Sequence, residues 1–172
     1  MEFNKLYLLI ISILGLLLLY SYYYFLNLKK SNFDDLWGRI DRKSKLYNFY
    51  LVSMCLAALG FMLMLYYFLV SDSFSQSDIT QLFILSLVIV VISMIWMPLS
   101  LEYVKYPRTW LKILIIIVLL VIAFSGLYTI IKLYMINDTR NKISRNLAIL
   151  GMIYFFFHTF FLDTIIWTTN FF

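Results

Sequence analysis

The chain has 172 residues, 63% of them hydrophobic and only 13% charged, with a net charge of +5. Soluble domains average about 45–50% apolar and about 25% charged, so this composition excludes both a soluble fold and intrinsic disorder. The basic residues flank apolar runs, where they meet anionic lipid headgroups and not nucleic acid.

A spanning helix needs roughly 20 apolar residues. Five runs meet that length, over residues 6–28, 46–70, 79–103, 110–135 and 146–170. They predict an all-α, polytopic bundle of five transmembrane helices in one domain, 1–172. The first run follows Lys5 and ends in the aromatic cluster 20–25. It is too long for a signal peptide and lacks a small-residue cleavage pattern, so a retained signal-anchor helix is expected.

The loop after it is patterned. Ser31 and Asp34 match a capping box, and Phe33, Leu36, Trp37 and Ile40 recur at helical spacing. This predicts a short amphipathic helix over 32–43 lying in the interface, with Trp37, Arg39, Arg42 and Lys43 meeting the headgroups. Gly38 weakens it by about 1 kcal/mol relative to Ala.

In the second run, Ser53, Cys55, Ala57, Ala58 and Gly60 are small, which lets helix backbones approach closely. Cys55 is the sole cysteine, so an intrachain disulfide or a Cys-x-x-Cys site is excluded. Ser77 or Asp78 is placed to cap the third run. Pro98 in that run removes an amide donor and predicts a kink near Met94. The fourth run carries a second small patch at Ala123, Ser125 and Gly126. The basic loop after it contains Asn137-Asp138-Thr139, a glycosylation sequon whose default reading is chance.

With five crossings, the first loop, the third loop and the C-terminus share a side. Lys29, Lys30, Arg39, Arg42, Lys43, Lys45, Lys105, Arg108 and Lys112 lie there, nine bases. The opposite side holds five: Lys5, Lys132, Arg140, Lys142 and Arg145. The positive-inside rule then favours the N-terminus out and the C-terminus in.

Three ionisable groups fall within or at the edge of apolar runs: Glu102, His158 and Asp163. A carboxylate at a helix centre costs about 2.5–3.5 kcal/mol on insertion scales. Such groups face a bundle interior or a wet cavity and have partners. Glu102 and Asp163 share one half of the membrane, and with Trp96, Ser100, Thr159 and His158 they define a candidate polar site beneath the Pro98 kink. On an α-helix, Asp163 shares a face with Thr159 and Trp167. His158 points about 140° away from Asp163, which makes Tyr154 its expected neighbour.

His158 is the sole histidine, so multi-histidine metal or haem sites are excluded. No hydrolase, metalloprotease or phosphate-loop motif occurs, and no enzyme activity, metal or cofactor is expected. The leading expectation is a structural or accessory subunit that packs with partner membrane proteins or with copies of itself. The alternative is a conduit or carrier for protons, ions or a small molecule, using the carboxylates of helices 3 and 5. Five spans in a chain of this length resemble the translocator-protein family in architecture. That family's tryptophan- and proline-rich signature is absent beyond Trp96-Met97-Pro98, and no membership is assigned.

Overall fold

The computed structural model describes residues 2–28 and 35–172. Five helical crossings are long and apolar enough to span a membrane. The first four are α1 (Glu2–Leu28), α2 (Lys45–Val70), α3 (Gln76–Lys105) and α4 (Thr109–Met135). The fifth has three parts: α5 (Lys142–Phe157), a π-helical segment (His158–Trp167) and α6 (Thr168–Phe171). No strand occurs among the described residues. The π segment is the main departure from expectation, and it determines the geometry of the site.

α2 packs most extensively on α5, α4 lies against α3 and α5, and α1 packs mainly on α3. The buried stripe of α2 is Ser53, Ala57, Gly60, Met64 and Tyr67, at alternating spacings of four and three. Cys55 and Ala58 lie on the outer face of the same helix. At the α2–α5 crossing two glycines face each other. A Cβ on Gly60 would stand 2.2 Å from the Gly151 carbonyl oxygen, and one on Gly151 would stand 2.7 Å from Gly60 Cα. Small residues carry membrane helix packing because only they permit this approach. In α4, Ala123 and Gly126 also face inward, and a Cβ on Gly126 would meet the Phe155 ring at 3.0 Å.

α3 begins three residues before the expected start. Ser75 is its N-cap, and Asp78 closes a capping box by accepting from the Ser75 backbone. Neither Ser77 nor Asp78 is the cap itself. The helix runs unbroken through Pro98. The Tyr22 hydroxyl of α1 donates to the Ser93 carbonyl at 2.9 Å. That carbonyl immediately precedes Met94, whose own carbonyl proline leaves without an amide partner.

The interfacial helix over 32–43 is not formed in its described part. Residues Asp35–Trp37 make one 3-10 turn, and turns follow as far as Ser44. The Ser31–Asp34 capping box and Phe33 lie outside the described residues. Two observations account for the difference. Gly38 adopts φ +55, the left-handed region that ends a helix, and its Cα stands against the C-terminal segment. A Cβ there would lie 2.3 Å from the Asn170 carbonyl oxygen. The Arg39 amide donates to that same carbonyl at 2.9 Å, and the Trp167 indole N–H donates to the Leu36 carbonyl at 2.9 Å. Leu36 and Ile40 are therefore buried in protein. Trp37, half-buried, packs edge-on against Tyr47 and Tyr50. Arg39, Arg42 and Lys43 remain exposed.

At the opposite end, Asp138 in the α4–α5 loop is fully buried. Its Oδ2 accepts from the hydroxyls of Tyr67 and Ser71 and from Asn141 Nδ2, and its Oδ1 accepts from the Asn141 amide at 2.8 Å. Arg145 adds a bond of 2.6 Å to the Ile136 carbonyl. These bonds tie the end of α2 to the start of α5.

Candidate functional site

A polar chain runs through the bundle between α2 and the fifth crossing. The Tyr154 hydroxyl donates to Ser53 Oγ at 2.9 Å. Ser53 Oγ lies 2.9 Å from His158 Nδ1. His158 Nε2 faces Asp163 Oδ2 at 3.5 Å, ion-pair distance. Ser53 and His158 are buried and Asp163 is partly so.

The His158–Asp163 contact overturns the α-helical expectation that the two point 140° apart. In a π-helix each backbone bond spans five residues. The Thr168 amide donates to the Asp163 carbonyl, five residues back. The Thr164 hydroxyl repeats that spacing by donating to the Thr159 carbonyl at 2.8 Å. Residues five apart therefore stack, and His158 lies over Asp163.

The remaining expected members are dispersed. Glu102 is exposed at the end of α3 and has no contact with Asp163, so the two carboxylates do not converge. Ser100 is buried but donates to its own helix, at the Trp96 carbonyl. Thr159 does the same at the Phe155 carbonyl. Trp96 sits in an aromatic cluster with Tyr22 and Trp167, at 6.0 and 5.2 Å between ring centroids. Its indole N–H is buried without a hydrogen-bond partner.

Two tyrosines complete the surroundings. Tyr50 donates to the Leu162 carbonyl, and its ring stands edge-on to His158. Tyr50 and Tyr22 both lie within electrostatic range of the Asp163 carboxyl. Sequence reasoning read Ser53 as a packing residue and missed it as a site member. Its hydroxyl, one helical turn before buried Ala57, was the available signal. Among the described residues no cluster of metal-ligating side chains occurs.

Chemically, the chain accommodates two imidazole states. With Tyr154 donating to Ser53, the Ser53 hydroxyl is free to donate to Nδ1, which leaves Nε2–H directed at Asp163. With a protonated imidazole, the Ser53 oxygen accepts from Nδ1–H through its second lone pair while Nε2–H still faces the carboxylate. Gain of a proton turns the Ser53 oxygen into a double acceptor and releases its own O–H from the imidazole. No protein-family model matches this chain, and neither a curated protein nor a solved structure shows significant similarity to it.

Proposed function

We propose that this protein is a small multi-pass membrane protein that holds and hands on protons at the His158–Asp163 pair. The observation that carries this reading is the pair itself, with Nε2 and Oδ2 3.5 Å apart inside an apolar bundle. Ionisable groups are retained at such depth at a cost, and they mark proton and ion pathways. π segments recur at functional sites in helices. In this reading a proton enters at the imidazole, Asp163 offsets the charge formed, and rotation of the Ser53 hydroxyl adjusts the hydrogen bonding. Tyr154 is the next group along the chain. Glu102, offered at first as a partner carboxylate, has no role in it.

The test is proton flux into proteoliposomes holding a trapped pH indicator, driven by a potassium diffusion potential. Asp163→Asn is expected to lower the flux by roughly 100-fold, while Glu102→Gln leaves it unchanged. Wild-type flux in Asp163→Asn, with helix content retained, would count decisively against the proposal.

The accessory-subunit reading keeps one specific support. On α1, Leu9, Ile13, Leu16, Tyr20 and Tyr23 are all exposed at alternating spacings of four and three. That is the seam spacing of paired helices, and a partner helix would fit it. Cross-linking from Leu16→Cys in native membranes distinguishes the two: a discrete heterologous adduct supports a subunit role, and lipid-only labelling removes it.

A further inference from the structure

The π segment joins the buried polar pair to the C-terminal turn that docks on the first loop. At its start is the His158–Asp163 pair. At its end are Trp167 and, three residues on, Asn170, the groups that dock on the first loop. A π register is one of two windings open to a helical segment. Rewinding to α would turn the residues beyond it by about 100° and separate His158 from Asp163. The docked end has no tolerance for such a turn, because Gly38 and the Asn170 carbonyl are already in closest backbone approach.

We propose that the π segment is a register switch. While His158 and Asp163 are in contact, it holds the C-terminal turn on the first loop, and when the contact is lost the segment rewinds and the loop is released. The inference rests on the proton reading of the pair and adds what the proton controls, namely the docking of an interfacial loop. An element with two discrete windings, biased from one end and read at the other, is the physical requirement for such coupling. The titratable groups facing the pair are Tyr154 on α5, Tyr50 on α2 and Tyr22 on α1, all engaged in hydrogen bonds. The surrounding cluster adds Tyr47 from α2, Trp96 and Tyr103 from α3, and Ile115 and Leu119 from α4, of which the two tyrosines titrate.

The test uses the full chain in lipid nanodiscs with 15N-labelled tryptophan. The Trp167 indole resonance is assigned by its loss in Trp167→Phe. In the wild type it is expected at a hydrogen-bonded position, and Gly38→Ala, which undocks the loop directly, defines the free position. Asp163→Ala is expected to move the resonance to the free position without touching the loop. Deleting Phe161, an exposed residue of the π segment, removes the surplus residue, so an α winding keeps both ends in register; the resonance is expected to stay at the hydrogen-bonded position and no longer to respond to Asp163→Ala. A Trp167 resonance unmoved by Asp163→Ala overturns the switch, as does one that Asp163→Ala still moves in the deletion variant. Normal proton flux with an uncoupled Trp167 sinks the switch and leaves the proton reading standing. Loss of the proton reading instead appears as unchanged flux in Asp163→Asn.

Discussion

Gly60→Ala is expected to destabilise the folded chain by about 3 kcal/mol, the upper end of what overpacking costs. The reason is the identity of the atoms it meets. The three nearest atoms to the added methyl are the O, C and Cα of Gly151, all within 2.9 Å. Backbone cannot rotate aside as a side chain can, so α2 and α5 must separate. Separation also pulls Ser53 of α2 from His158, which begins the π segment directly after α5. The measurement is reversible unfolding in mixed detergent–SDS micelles. Gly15→Ala is the control, because nothing lies within 4 Å of a Cβ there. It is expected to raise stability by roughly 0.5–1 kcal/mol through helix propensity. Equal effects at the two positions would contradict the glycine crossing.

Asp138→Ala is expected to cost about 3 kcal/mol in the same assay, because it leaves the buried hydroxyls of Tyr67 and Ser71 without an acceptor. This group also carries a pH signature. Burial pushes its carboxyl up, but the hydrogen bonds from Ser71, Asn141 and Tyr67 outweigh that and hold it well below the usual carboxylate range. A folded-state value below the unfolded one of about 3.9 stabilises the protein fully above that unfolded value. The contribution is lost as pH falls through the lower, folded value. Amide protection of the α4–α5 loop is therefore expected to persist to about pH 4 and to decline below it. Asp138→Asn, which has no charge to lose, is expected to flatten that acid limb. A loop whose protection falls between pH 7 and 5 would contradict this account of Asp138.

The architecture was legible because hydropathy reports it directly. Five runs of spanning length predicted five helices, whose observed starts lie one to four residues earlier. The small patches were legible in type but not in partner. Ser53, Ala57 and Gly60 face inward as a stripe, yet nothing in the chain marked Gly151 as the residue opposite Gly60. The first loop misled because its apolar spacing is helical, while the structure uses Leu36 and Ile40 to cover the C-terminal segment. Gly38 was visible as a weak point. Its left-handed φ depends on backbone more than 130 residues away, which local pattern cannot encode. The site was half legible. Insertion cost singled out His158 and Asp163, but a 3.6-residue period placed them on opposite faces. No periodicity in the chain announces the π register that joins them. Glu102 drew attention by charge alone and lies at a helix end, where water is within reach.

In the proposed proton pathway one imidazole, bonded to Ser53 on one nitrogen and facing Asp163 on the other, holds the proton. The chain has a single histidine, so 15N-histidine labelling of the full chain in bilayers yields one imidazole spectrum, followed across pH. The neutral form is expected to carry its proton on Nε2, with Nδ1 accepting a hydrogen bond. Asp163→Asn is expected to displace the titration and Ser53→Ala to shift Nδ1 alone. A titration identical in wild type and Asp163→Asn would contradict the proposed pathway.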